Sequence, residues 1–486
     1  MSNNWDAPSE LPNKLYIGGK WVAPSSGEYE PTVDPATGKE FASIALGNEA
    51  DVLHAIENSK SALKEFRKVL PAERGRILTR AAAIIRRDKD LLARVETLDS
   101  GKPLREAYGD VETAAGYFEY YAGMADKLQG DSIPLGPDFM SFTLHEPVGV
   151  TAHIIPWNFP LVTTVRGAAP ALAAGCTCII KPALITSLTA LMLGNILKEA
   201  GLPDGVYNVI TGKGSAVGGT LTSHPDIAHV TFTGSVSTGQ TVMRAAADSI
   251  ASTTMELGGK SPVVVLEDAD IDAAVEGTMK AIFMNAGQVC SSGSRLVIER
   301  SVHAQMMEKL VAKASALKMG HGLDDADLGP LVSSAQLNSV SAFVEDARAR
   351  GCSIATGGNR SNPAGMEKGF FMEPTIIDDL QRSDKLVQEE IFGPVLAVQI
   401  VDNPEDAMVA ANDTPFGLCG GIYTKDITKA MHFAREMEAG QIFINQYFAG
   451  GIATPFGGVK NSGFGREKGL AALSSYYQVK CITTRI

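Results

Sequence analysis

Apolar positions change their period once along the chain, and that change organises everything else. After a short strand-like piece, "KLYIGGKWV" at 14–22, the apolar residues recur at helical spacing over 49–66, 72–99 and 104–127, which predicts three long amphipathic helices. From residue 148 onward short apolar runs take over: "GVTAHII", "TCIIK", "VYNVIT" and "AHVTFTG" alternate with helical patterns at 161–174, 187–200, 215–222 and 238–247. Strands alternating with helices are the pattern of βαβ units and a parallel sheet, whose ligands sit at the carboxyl ends of the strands. A second series starts at "SPVVVL" (261–266), with a helix expected over 272–284, and continues to about residue 458. Two alternating runs far apart in the chain, "FMSFTLHEP" (139–147) and the terminal "YYQVKCITTRI", could pair as a separate small sheet.

Composition narrows the function more than the fold. At 486 residues, with 45% hydrophobic and 20% charged positions, the chain suits a soluble α/β protein of about three domains. A net charge of −12 without blocks of like charge argues against nucleic-acid or anionic-membrane partners and for a small molecule. The first twenty residues lack a basic-then-apolar leader, and the longest uncharged runs, 167–180 and 182–197, are too short to span a bilayer, so a cytoplasmic protein is expected. Six cysteines, at 176, 178, 290, 352, 419 and 481, form no CxxC pair and have no histidine at zinc spacing, which disfavours a disulfide framework or a metal site.

Cys290 stands apart because it lies in "NAGQVCSSGSR", a polar turn between apolar stretches. Gly287 allows a sharp turn that leaves main-chain N–H groups near the sulfur, as an oxyanion-forming nucleophile requires; a buried, inert thiol is the alternative on this run alone. In "IIPWNFP" (154–160) prolines bracket Asn158 at a strand end, where an amide can donate to a ligand oxygen. In "MELGGKSP" (255–262) Glu256 precedes a Gly-Gly turn, a placement suited to a general base.

Seven ordered motifs, "PWNFP", "KPA" (181–183), "FTGSVSTG" (232–239), "MELGGKSP", "GQVCSSGSR", "EEIFGP" (389–394) and "PFGGVKNSGFGRE" (455–467), together resemble the aldehyde dehydrogenase superfamily over nearly the whole chain. The resemblance implies an α/β fold with a Rossmann-like cofactor domain (1–128 and 148–258), an α/β catalytic domain (259–461) and a β-strand oligomerisation arm (129–147 and 474–486) that makes homodimers or homotetramers. It implies that Cys290 attacks an aldehyde, that Asn158 and the Cys290 N–H hold the oxyanion, that Glu256 activates the water which hydrolyses the thioester, and that Glu467 passes protons outward. Glu256 also separates this chain from the coenzyme-A-acylating branch, which lacks the base. For an NAD or NADP cofactor the resemblance points to Lys181 at the adenosine ribose, to Gly234, Ser235 and Gly239 near the pyrophosphate, and to Glu390 and Phe392 at the nicotinamide ribose and ring. Pro156, Trp157 and Gly258 border the same site.

Two departures bear on specificity. Leu184 stands where NAD-specific members commonly carry Glu, so the repulsion of a 2′-phosphate is absent and NADP is permitted. Arg166, eight residues after Asn158, resembles the carboxylate-gripping arginine of succinate-semialdehyde dehydrogenases, or else supports a neighbouring Glu; the two readings stay open. With Phe159, the loop residues Tyr447 and Phe448 suggest aromatic walls for a roomier substrate mouth. A semialdehyde acid is therefore one substrate class, and aliphatic, aromatic or betaine-type aldehydes with a structural Arg166 are the other. A member of the family kept only for binding, without turnover, would have lost Cys290, Asn158 or Glu256, and all three are present.

Overall fold

The computed structural model describes residues 5–486, so residues 1–4 of the first expected domain lie outside the described residues. Two parallel-cored sheets dominate an α/β fold. In the first, the strands Tyr207–Val209, Thr177–Lys181, Val150–Ile154, Ile227–Thr233 and Ser252–Glu256 lie side by side and parallel. Short antiparallel strands close its edges, Leu15–Ile17 and Lys20–Val22 on one side and Gly463–Phe464 on the other. The second sheet orders Ser353–Thr356, Thr375–Asp378, Val395–Val401, Arg295–Glu299, Pro262–Val265, Cys419–Tyr423 and Gln441–Ile444, parallel throughout except for its first, antiparallel edge strand. Both sheets are covered by helices, which is why their strands read as continuous apolar runs such as "PVVV", buried at every position.

The 72–99 stretch is two helices, Pro71–Arg87 and Lys89–Ser100, with Asp88 non-helical between them (φ −96°, ψ 16°). "RRDKD" at 86–90 has no apolar residue, so no packing face ties the turns on either side and each helix can follow its own surface. The predicted 104–127 helix ends at Ala122, and the 215–222 segment is a π-helical turn, Gly214–Gly218, running into a short α-helix, Gly219–Ser223. The two distant alternating runs do pair: Phe139–Pro147 and Tyr477–Arg485 are antiparallel over nine positions, from Phe139↔Arg485 to Pro147↔Tyr477.

One crossing matters for the site. After the second sheet is complete, the chain returns and pairs Gly463 with Glu256 at the edge of the first. Tyr121 Oη anchors this return by donating to the Gly469 carbonyl at 3.0 Å. The carboxyl edge of the first sheet therefore faces loops of the second.

Candidate active site

A cleft of about 220 Å³ lies where the two sheets meet. From the first sheet it takes residues at or just past three strand ends: Pro156, Trp157 and Asn158; Thr233, Gly234 and Ser235; Glu256, Leu257 and Gly258. From the second it takes Cys290, Gln336, Glu390 and Phe392. Register explains the first group, because Ile154, Thr233 and Glu256 end neighbouring parallel strands, Thr233 directly beside Glu256. Each following turn opens at the same edge.

Cys290 reaches the cleft by a less regular route. The helix Ile271–Phe283 stops, and Asn285, Ala286 and Gly287 follow in left-handed conformation (φ 48°, 53° and 72°). Only at Gly287 is glycine demanded outright, since a Cβ there would stand 2.1 Å from the Gly393 carbonyl oxygen. Asn158 is buried, and its Nδ2 donates to the Gln288 carbonyl at 2.9 Å, leaving its second amide hydrogen for a ligand. The amide thus lies against the turn that delivers the sulfur.

Electrostatics in the cleft follow from burial. Burial pushes the Cys290 thiol up to about 12, with Arg166 opposing the shift and Glu256 adding to it. The Glu256 carboxyl is raised well above the ordinary range by burial and by the neighbouring Glu467. Neither of its oxygens has a hydrogen-bond partner among the described residues. The main chain of Gly457 packs against it, for a Cβ there would stand 2.7 Å from Oε1. Such a carboxyl, unpaired and facing a cleft, is poised to hold or take a proton.

Arg166 and Glu467 meet directly. The Arg166 Nε forms an ion pair with Glu467 Oε2, its Nη2 reaches Thr233 Oγ1 at 3.4 Å, and its guanidinium lies 5.4 Å from the Phe456 ring centroid. Both side chains are nearly excluded from solvent.

The residues expected at the cofactor divide into two groups. Glu390 Oε1 accepts from the Gly259 N–H at 3.1 Å, and Gly258 must lack a side chain because a Cβ would lie 2.0 Å from Glu390 Oε2. Burial lifts Glu390 to about 7. Phe392 is left-handed (φ 58°); Gln336 Nε2 donates to its carbonyl at 2.9 Å, and its ring meets Trp157 edge-on, centroids 5.2 Å apart, across the cleft. Ser235 caps the helix Val236–Ser249 by accepting from the Thr238 N–H at 3.3 Å, and Gly239 leaves room for Leu257, 2.6 Å from where its Cβ would be. Lys181 lies outside the cleft lining, at the end of its strand; burial lowers it to about 8, and its Nζ donates to the Pro182 carbonyl at 3.3 Å. Leu184 packs near Ile44, Val95 and Leu188.

The aromatic walls expected from the 445–458 loop are not in the cleft lining. Tyr447 is buried in the core of the second sheet, where its hydroxyl donates to the Ser291 carbonyl at 3.0 Å and its ring packs between Phe443 and Phe448. Through that hydrogen bond it supports the Cys290 turn from behind. Phe159 lies under the Lys102 ammonium, 4.4 Å from the ring centroid, also outside the lining. Thr233, Leu257 and Gln336 were missed in the sequence. The first two sit inside quoted motifs and could have been found; Gln336 belongs to a helix, Ser334–Ala349, with no local signal of chemistry.

Comparison with known proteins agrees with this arrangement. The Aldehyde dehydrogenase family model matches residues 21–482. Betaine aldehyde dehydrogenase of Bacillus subtilis (strain 168) is 40% identical over 471 residues, 96% of each chain. Betaine aldehyde dehydrogenase 1 of Oryza sativa subsp. japonica is 41% identical over 489 residues, 98% of this chain and 96% of that one. Among solved structures, betaine aldehyde dehydrogenase from Staphylococcus aureus in complex with NAD+ superposes with a TM-score of 0.96 at 36% identity, covering 98% of this chain and 95% of that one. PnpE from Pseudomonas sp. WBC-3 superposes with a TM-score of 0.96 at 37% identity, covering 98% of both. With cysteine, amide and unpaired carboxyl gathered at one cleft and this similarity running from end to end, the chain belongs to the aldehyde dehydrogenase family.

Proposed function

We propose that Cys290 Sγ adds to an aldehyde carbonyl, that Asn158 Nδ2 and the Cys290 N–H hold the oxyanion, and that Glu256 activates the water that later cleaves the thioester. A nicotinamide dinucleotide, NAD or NADP, would supply the hydride acceptor for the oxidation when bound. Net, aldehyde and water become a carboxylic acid, with one hydride to the cofactor and one proton released. The cleft suits that cofactor, with Gly234 and Ser235 opening a 14-residue helix, Gly258 shaped around Glu390, and Phe392 held in a strained conformation. Ser235, Gly239 and Lys181 would hold its phosphate and ribose side, and Glu390 and Phe392 its nicotinamide side.

The proton path follows from the pairing described above. Because burial raises both the Cys290 thiol and the Glu256 carboxyl, and each must be without its proton for its step, activity should rise as pH rises. Glu467, beside Glu256 and paired with Arg166, is the next carrier outward.

The ion pair between Arg166 and Glu467 carries the substrate reading. A guanidinium already neutralised by a buried carboxylate does not need a substrate anion, and stripping it from Glu467 would leave an uncompensated buried charge. The substrate is therefore an aldehyde without a distal carboxylate, in the aliphatic, aromatic or betaine-type class that the names of the relatives suggest. A distal carboxylate is the second reading, favoured by the long 3.4 Å contact that leaves Nη2 weakly bound. kcat/KM for betaine aldehyde and for length-matched aldehydes with and without an ω-carboxylate, on wild type and Arg166→Met, decides between them. A preference for the acid of about tenfold or more, lost in Arg166→Met, overturns the first reading.

On the same reading, residues 1–128 and 148–258 serve the cofactor and 259–461 carry the nucleophile. The 129–147 and 474–486 arm joins subunits into homodimers or homotetramers. Exposed Phe139, Met140, Leu144 and Val479 on the paired strands support the arm's role. All six cysteines are unpaired, which suits a reducing cytoplasm, and among the described residues no helix is long and apolar enough to cross a membrane.

A further inference from the structure

The two oxyanion donors belong to different sheets, so something must set the distance between them. Asn158 follows a strand of the first sheet, and Cys290 ends a loop of the second. Behind the cleft, and outside its lining, Lys102 Nζ donates to the main-chain carbonyl of Asn158 at 3.1 Å. On that same oxygen Asn285 Nδ2 donates at 3.0 Å, and it also reaches the Gln288 carbonyl at 3.4 Å. The Asn285 amide therefore spans both segments.

Each of these two residues is itself fixed from the helical layer. Lys102 is fully buried, ion-paired with Asp110 and 3.6 Å from Glu96 Oε1. Glu96 accepts from Thr189 Oγ1 at 2.8 Å and from the Leu161 N–H at 3.4 Å. Glu106 Oε2 accepts from the Asn285 N–H at 3.0 Å and so holds that residue in its left-handed conformation. Burying an ammonium among carboxylates is a poor way to stabilise a fold compared with apolar packing. It does give a directional grip on a carbonyl that apolar packing lacks.

We propose that Lys102 and Asn285 are positioning residues, which clamp the Asn158 carbonyl to the loop ending at Cys290 and thereby set the geometry of the oxyanion site. The proposal rests on the assignment of Asn158 and Cys290 N–H as the oxyanion donors. Neither clamp residue touches substrate or cofactor in this account. Their effect belongs to the chemical step, where an error near 1 Å costs about 10²-fold.

The test is a mutant cycle read by the pre-steady-state burst of reduced cofactor, with NAD+ affinity by fluorescence titration and KM for the best aldehyde of the panel above. Lys102→Met and Asn285→Ser should each slow the burst about 10- to 100-fold, with NAD+ affinity within about twofold of wild type. In the Asn158→Ala background the same changes should cost less than about threefold, because the group they position is gone. Losses that multiply in full across the cycle, or an unchanged burst with Asn158 present, overturn the proposal. If Lys102→Met does not fold, Asn285→Ser, which leaves the buried charges in place, decides by the same cycle. A normal burst in Asn158→Ala alone would instead show that the donor assignment itself is wrong.

Discussion

The two walls of the cleft are built differently. On the first-sheet side, Asn158, Thr233 and Glu256 are delivered by register: their strands end together, and ordinary backbone carries them to the edge. On the second-sheet side, Cys290 and Phe392 are delivered by conformations that non-glycine residues rarely adopt, Asn285, Ala286 and Phe392 all having positive φ. Each such residue costs on the order of 1–3 kcal/mol and persists only where neighbours over-determine it. Here the neighbours are Glu106 on Asn285, Tyr447 behind Ser291 and Gln336 on Phe392. Strand pairing shapes the backbone of the regular wall, and side-chain contacts hold the backbone of the strained one.

The contrast can be broken most severely at the nucleophile. Cys290→Ala should abolish dehydrogenation while NAD+ binding stays near normal in a fluorescence titration; residual turnover close to wild type would remove the cysteine from the mechanism. On the regular wall, Glu256→Gln keeps the strand register and should retain the burst of reduced cofactor. Its steady-state rate should fall by about 10²- to 10⁴-fold, and a rate left intact would mean another group activates water.

Stability sharpens the same contrast. Gly287→Ala places a Cβ 2.1 Å from the Gly393 carbonyl at φ 72°, and should cost about 3 kcal/mol or more in urea unfolding. Thr233→Ala on the regular wall should cost about 1 kcal/mol. Equal costs would refute the distinction between the walls.

The smallest effect concerns Lys181. Burial brings this amine down to about 8, so it is charged below that pH and neutral above it. Because only the charged form attracts a 2′-phosphate, the NADP-to-NAD affinity ratio should fall several-fold as pH rises from about 7 to about 9. A flat ratio across that interval would show that Lys181 does not sense the phosphate.

Local pattern was enough for much of this molecule. Alternation of apolar runs with helical periods announces a parallel sheet and a second α/β series, and the seven ordered motifs taken together, through the family they resemble, single out the amide, the carboxyl and the thiol, each of which could be structural on its own run alone. Two matching alternations also suggest the pairing of 139–147 with the C-terminal strand, and the structure shows it. Other features depend on distance through space. "RRDKD" hides a helix break, since where each helix turns is decided by the surface it packs on. Tyr447 reads as a wall of the substrate mouth and is instead buried behind Cys290, because its hydroxyl finds the Ser291 carbonyl there. The proposed role of Arg166 rests on its pairing with Glu467, 301 positions away in the chain, and the grip of Lys102 on Asn158 spans 56. A buried charge takes its meaning from its partner, and only the folded chain brings that partner within reach.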